Sequence, residues 1–235
     1  MSDKATLRPA SELVAGNQTH LPGESAAYRA ARNALLIEEI ELRRHLERVA
    51  AQRRALPPGG PLPQDFTFAA ITGPIRLSQL FGAHDTLMIY SMMYGPQRAA
   101  PCPSCTSTLS AWNGIAVNLR ERVSLAVTAR SPIERLMEFR AQRGFSNLSF
   151  YADTSGDYTR SYVSRTDADI PGFSVFVRHD GAVRHFYSGE MSGQMSDPSQ
   201  DPRGAPDLDP LWTMLDWAPE GRGTNWYPKL EYGRK

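Results

Sequence analysis

The sequence predicts an α/β fold, a central mixed sheet with flanking helices behind an N-terminal helical extension. Three observations predict it. A long arginine-rich helical pattern stops at Pro57-Pro58-Gly59-Gly60. From Thr86 onward, short apolar runs alternate with helical segments, the order expected of a parallel core. The last two runs, Phe173 to Arg178 and Val183 to Tyr187, flank Asp180-Gly181, a strong hairpin signal that adds an antiparallel edge.

The elements follow in order. Residues 1 to 23 are polar and broken by Pro and Gly, which reads as a loosely ordered arm. From Glu24 to Ala55, Tyr28, Ala31, Leu35, Leu42, Leu46 and Val49 recur at helical spacing on one stripe. Glu39 and Glu47 are each one turn from Arg43, and the arginines gather towards the C-terminal end, as the helix dipole favours. Packing of the stripe on the domain is one reading; a surface for self-association is the other. Phe66 to Ile71 reads as a strand, Gly73-Pro74 as a turn, and Arg76 to Phe81 as a short segment anchored by Leu77 and Leu80. Thr86 to Tyr90 suits a strand buried on both faces.

Ser91 to Pro101 reads as a loop, Thr106 to Arg122 as a helix weakened by Gly114, and Val123 to Thr128 as a second buried strand. Ser131-Pro132-Ile133-Glu134 has a helix-start pattern: Ser as N-cap, Pro first, then Glu. That helix ends at Gly144, and Leu148 to Tyr151 forms a strand. Asp153 to Asp169 has no clear period. Met191 to Pro206 is a long polar loop, and Leu208 to Leu215 a short helix.

Composition narrows the function. The chain has 235 residues, is 41% hydrophobic and 22% charged, and carries a formal net charge of +1. That balance gives no basic field for nucleic acid and no acidic tail for a cationic partner. The longest apolar runs are far too short to span a membrane, and Met1 to Gly16 has no secretory apolar stretch. Both cysteines of the chain lie in Cys102-Pro103-Ser104-Cys105. Without a leader, the pair points to a reducing, cytoplasmic setting, where a disulfide is more often catalytic than structural.

Two thiols at this spacing admit a redox pair, half of a metal site, or an inert pair. Cys102 sits after a buried strand and before a helix, facing unsatisfied N–H groups and the positive dipole end. Such a site favours thiolate and lowers a thiol to roughly 3.5–7.5 from about 8.5. Cys102 is then the exposed nucleophile and Cys105, one turn on, the resolving thiol. Pro103 is tolerated in the first turn. A zinc site needs a second pair of ligands, which His84, His179 and His185 do not supply by spacing. A peroxide-reducing thiol is the other competitor, and the region before the cysteines resembles peroxiredoxins. Their Pro-x-x-x-Thr/Ser-x-x-Cys pattern fails here, however: Ala99 precedes Cys102 where Thr or Ser belongs. Arg98 remains placed to stabilise a thiolate. No dinucleotide glycine motif, phosphate loop or HExxH helix occurs, so no cofactor and no metal are expected. The four tryptophans, Trp112, Trp212, Trp217 and Trp226, read as packing. Asp157, Tyr158, Asp167 and Asp169 form a polar cluster that could line a groove or be a solvated loop.

Ile170-Pro171-Gly172-Phe173 heads the strand FSVFVR, and a proline at a strand head has no ladder donor to lose. Here the chain resembles the thioredoxin superfamily, whose proline before this strand sits against the active-site cysteines. The resemblance implies that Pro171 shapes a substrate groove. A closer resemblance spans about residues 28 to 232 and rests on RRALPP, LSQLFGAHDTLMIYSMMYGP, CPSCT, PGFSVFVRHDG and Pro219-Glu220-Gly221-Arg222. These look like a bacterial family of unknown function described as predicted dithiol–disulfide oxidoreductases. Met92, Met93 and Tyr94 replace that family's FMFGP-like segment and either line the approach to the cysteines or join the core.

The resemblance implies a thioredoxin-like fold. The expected organisation is an arm over 1–23, an N-terminal helix and linker over 24–60, a thioredoxin-like domain over 61–206, and a C-terminal helix and tail over 207–235 packed on it. The expected function is thiol–disulfide exchange on a protein or low-molecular-weight thiol, with Cys102 attacking, Cys105 resolving, and Pro171, Pro103 and Ser104 lining the substrate. A thiol peroxidase is the alternative, and a non-enzymatic interaction protein on the same scaffold the second. No nucleic-acid or membrane partner is expected; the N-terminal helix is the candidate surface for a homo-oligomer.

Overall fold

Ser25 starts the longest helix of the chain by accepting the Tyr28 N–H on its hydroxyl, 3.1 Å away. The computed structural model in which this is seen describes residues 7–190, 208–215, 217, 218 and 226–232. The polar loop expected over 191–206 and the Pro219-Glu220-Gly221-Arg222 stretch lie outside the described residues. The chain divides into two units, Met1–Pro57 and Pro58–Lys235.

In the first unit, α1 (Ala10–Ala15) precedes α2 (Ala26–Arg54). Helix α1 lies within the stretch expected to be a loose arm; Ala10 and Val14 are buried, and Arg44 donates to the Arg8 carbonyl at 2.7 Å. Helix α2 has no buried residue, and Leu35, Leu42 and Leu46 on its apolar stripe are all more than half exposed. Its ion pairs include Arg29–Glu24, Arg32–Glu39 and Arg44–Glu41.

The second unit runs β1 (Thr67–Ala70), β2 (Gly73–Arg76), α3 (Leu77–Leu80), β3 (Thr86–Ser91), α4 (Pro103–Leu119), β4 (Ser124–Ala129), α5 (Ile133–Gln142), β5 (Phe150–Ala152), α6 (Asp157–Tyr162), β6 (Gly172–His179), β7 (Ala182–Ser188) and α7 (Pro210–Leu215). Among the described residues the strands form one seven-stranded sheet in the order β2-β1-β5-β4-β3-β6-β7. Strands β3, β4 and β5 are parallel neighbours, and β6–β7 adds the expected antiparallel hairpin beside β3. Asp180 and Gly181 both have positive φ, 51° and 76°, as a tight two-residue hairpin turn requires. The parallel β3-α4-β4 unit beside antiparallel β6-β7 and then a helix is the thioredoxin-like arrangement.

A second hairpin, β1–β2, closes the other edge. Gly73 and Pro74 are its first β2 residues rather than a turn: Gly73 takes φ 114°, and Pro74 sits on an edge strand where no donor is lost. Successive β3 side chains bury opposite faces. Leu87 and Ile89 join Phe68, Phe81, Tyr158 and Phe176, while Tyr90 joins Leu109, Trp112, Leu136 and Phe139. The cysteines lie on the second face.

The start of α5 also departs from the expected cap. Pro132 takes the N-cap position, and the fully buried Ser131 hydroxyl instead donates to the Tyr94 carbonyl at 2.6 Å. A buried carbonyl in the loop ahead of the cysteines needs a donor, and Ser131 meets that need. No helix among the described residues is long and apolar enough to cross a membrane.

Candidate active site

Strand β3 ends at Ser91, and residues 92–101 carry the chain to the first turn of α4. Backbone hydrogen bonds fix this path: Met92 N–H donates to the Thr128 carbonyl at 2.9 Å, and Cys102 N–H to the Met93 carbonyl at 3.0 Å. Cys102 is thereby the N-cap residue of α4, with extended backbone at φ −63°, ψ 127°, and Pro103 follows at the first helical position. Its sulfur does what a capping oxygen usually does, accepting the Cys105 N–H at 3.5 Å. Thr106 closes the turn by donating both N–H and hydroxyl to the Cys102 carbonyl, at 3.0 and 2.9 Å. Met93 N–H donates to Cys105 Sγ at 3.5 Å, so one peptide unit on either side of Met93 holds each cysteine.

Both thiols are free, and their ionisation is split. The Cys102 thiol is lowered from an ordinary 9.0 to about 6. The largest cause is the hydrogen bond from the Cys105 thiol; burial opposes it, and the N–H groups of Cys105 and Ser104 and the charge of Arg98 add to it. Cys105 is pushed well above the ordinary range by the same hydrogen bond, by burial, and by the charge on Cys102. One thiolate at this spacing disfavours a second. Arg98 is itself held by Asp169 Oδ2, 2.6 Å from Nε.

Cys102, expected to be exposed, is only 5% exposed, and Cys105 2%. The hydrogen bond to Met93 draws Cys102 beneath residues 92–101, whose Met92 and Tyr94 are buried in the same apolar cluster. Met92 and Tyr94 are therefore core, while Met93 is half-buried. Pro103 and Ser104 are half-buried in the first helical turn, and the Ser104 carbonyl accepts the Thr108 hydroxyl at 3.2 Å.

Pro171 is half-buried at the head of β6, and the next residue, Gly172, pairs with Ser91 at the end of β3. The loop before it reaches the loop before Cys102 through the Asp169–Arg98 ion pair. Gly95 permits that approach: a Cβ there would stand 3.2 Å from Asp169 Cγ. The fold thus brings Pro171 and the cysteines to one end of the sheet. The acidic and aromatic residues of 157–169 divide. Asp157 and Asp167 share Arg160, and Asp167 also pairs with Arg130, whereas Asp169 pairs with Arg98 and Tyr158 is buried in the core. His179 ends β6 in an exposed pair with Asp180. Among the described residues no three His, Cys, Asp or Glu side chains gather to hold a metal ion.

Sequence reading missed three polar residues beneath the cysteines: Tyr90, Thr108 and Asp209, which are 2%, 6% and 5% exposed. Tyr90 reads as the last apolar residue of a strand. The signal for Thr108 is its position three after Cys105, on the same helix face.

Among solved structures, the chain is similar to a hypothetical protein from Sinorhizobium meliloti (15% identity, 69% of this chain and 83% of that one covered, TM-score 0.42). It is similar to an uncharacterized conserved protein from Geobacillus kaustophilus (16% identity, 74% and 87% covered, TM-score 0.42). It is also similar to a mutant of Xanthomonas campestris peroxiredoxin Q (17% identity, 53% and 79% covered, TM-score 0.38). No curated protein matches the chain. Residues 17–232 match the family described as "Bacterial protein of unknown function (DUF899)", so the chain belongs to that family.

Proposed function

We propose that this chain is a thiol–disulfide oxidoreductase acting on a protein or low-molecular-weight thiol substrate through Cys102 and Cys105. The observation that carries this reading is the split pair: a helix-capping thiol lowered to about 6 beside a buried thiol raised above its ordinary value. At neutral pH roughly nine tenths of Cys102 is then thiolate, and a thiolate is the attacking form. The Cys102 thiolate attacks a substrate disulfide, forming one S–S bond as the substrate's breaks, and the departing thiolate takes a proton from water. Cys105 then loses its proton and attacks Cys102 Sγ, which closes the internal disulfide and releases the second substrate thiol. Pro171, Pro103 and Ser104 border the approach to Cys102. Because Cys102 is nearly covered, a substrate reaches its sulfur by displacing part of 92–101. A free dithiol with this role suits a reducing compartment, which makes the cytoplasm its proposed location.

A Cys105→Ser variant tests the reading. Exposed to a disulfide, it should hold the Cys102 mixed disulfide that the parent protein releases. If no adduct forms on Cys102, and the parent shows no two-electron couple against glutathione, exchange is ruled out. The thiolate beside Arg98 would also attack a peroxide. Rapid peroxide consumption lost in Cys102→Ser would favour the peroxidase reading.

A further inference from the structure

An ion pair bridges the two segments that meet at the cysteine end of the sheet, residues 92–101 and the loop ending at Pro171. Arg98 Nε lies 2.6 Å from Asp169 Oδ2. The backbone of 94–99 is anchored elsewhere, at the start of α5. There the fully buried Ser131 hydroxyl holds the Tyr94 carbonyl. The Arg135 guanidinium donates to the Arg98 and Ala99 carbonyls and lies 4.2 Å over the Tyr94 ring. Arg135 is thus committed to the backbone, and the bridge is the part that can exchange. Its two side chains are 38% and 30% exposed, and ion pairs open to water are held weakly.

The cation of this pair stands beside the thiols. Arg98 Nη2 lies 3.7 Å from Met93 Sδ, a weak acceptor. Met93 is the residue whose N–H donates to Cys105 Sγ and whose carbonyl accepts from Cys102. Arg98 is also the only charged residue from Ser91 to Leu119, a span that includes both cysteines and all of α4. A charged group arriving at Cys102 therefore meets Arg98, with Asp169 already on it.

We infer that the Arg98–Asp169 pair is an exchangeable gate that selects low-molecular-weight disulfides carrying a carboxylate, the substrate's carboxylate taking the place of Asp169 on Arg98. This rests on the exchange reading above. A guanidinium fork accepts one carboxylate as readily as another, so the exchange keeps Arg98 paired and releases Asp169 to water. A neutral disulfide parts the pair with nothing to replace it, and an ammonium-bearing one meets Arg98 as a like charge. The exchange chemistry is unaltered: Cys102 Sγ forms one S–S bond as the substrate's breaks, and the departing thiolate takes a proton from water. Arg98 binds the substrate. Asp169 touches none of it and is a positioning residue that holds Arg98 across the gap.

Two disulfides of similar length separate charge from reactivity: dithiodipropionate, with a carboxylate at each end, and hydroxyethyl disulfide, which is neutral. In a Cys105→Ser background the Cys102 adduct stays in place, and intact-mass spectrometry follows its rate of formation with each. The ratio of the two rates cancels any change in Cys102 thiolate, because both disulfides meet the same sulfur. Adding Arg98→Gln should lower the ratio of the acid to the neutral rate about fivefold, the upper figure for an ion pair open to water. Asp169→Asn, which frees Arg98, should raise it by a similar factor. Gly95→Ala should raise it too, because its Cβ would stand 3.2 Å from Asp169 Cγ and crowd the carboxylate away from Arg98. Near-ultraviolet circular dichroism checks that each variant is folded. A ratio that Arg98→Gln leaves unchanged, or that Asp169→Asn and Gly95→Ala fail to raise, overturns the gate. A Cys105→Ser protein that forms no adduct with either disulfide overturns the exchange reading itself, which is a different outcome.

Discussion

Replacing Cys105 with alanine should raise the Cys102 thiol, because the hydrogen bond from Cys105 is the largest cause of its lowering to about 6. Alanine removes that donor and leaves the helix N–H groups and Arg98 in place. A hydrogen bond to a charged group contributes about 1.5–3 kcal/mol. At about 1.36 kcal/mol per pH unit, its loss moves the midpoint up by about one to two, to roughly 7–8. The thiolate fraction at neutral pH then falls from roughly nine tenths to between about a tenth and a half. The rate of iodoacetamide alkylation of Cys102, followed against pH by mass spectrometry, reads the midpoint. The plateau rate is a poor guide, since a more basic thiolate is also the better nucleophile. Cys105→Ser keeps a hydroxyl donor, so its midpoint should stay within about half a unit of the parent's, well short of the alanine shift. A Cys105→Ala midpoint still near 6 refutes the reasoning and leaves the helix terminus as the source of the lowered value.

Arg98→Gln should also raise the Cys102 midpoint, by less than Cys105→Ala does, since the arginine charge is the last of the named causes. The reduced protein should gain stability over Cys102→Ser as pH rises from about 6 to 9.0, by no more than about 4 kcal/mol, because a depressed folded value favours the folded state fully only above the unfolded one; thermal melts across that range read it. Leu109→Ala, at a fully buried position on the core face of α4, should cost about 3 kcal/mol in urea unfolding. Gly156→Ala should cost about 1–2 kcal/mol in the same assay, because Gly156 has φ 74° and its new Cβ would stand 2.6 Å from Arg130 Cζ.

The alternating elements were legible because each carries a local signal. Thr86–Tyr90 is a continuous apolar run, Asp180-Gly181 accepts two positive φ values, and the α2 stripe recurs at helical spacing. The β1–β2 hairpin was read as a strand and a turn because Gly73-Pro74 is a turn pair in isolation. Its pairing with Thr67–Ala70 is what makes it a strand. Ser131 has the composition of an N-cap, yet the buried Tyr94 carbonyl, 37 residues earlier in the chain, takes its hydroxyl. Helix α6 was missed because its six residues, Asp157–Tyr162, are too few to show a period.

For the site, the sequence by itself determined that the two cysteines stand at a strand-to-helix junction, with Pro103 between them and a proline-headed strand to follow. Spacing within one helical turn and the missing N–H of proline are local properties, so they are written in local residues. The tertiary structure decided what surrounds the sulfurs. The peptide units flanking Met93 hold both cysteines, Asp169 holds Arg98 beside them, and Asp209, 104 residues beyond Cys105, reaches Thr108. Burial and hydrogen bonding between distant segments set a thiol's ionisation, and those distances exist only once the sheet has assembled. The same assembly turned the nucleophile from an exposed thiol into a nearly covered one.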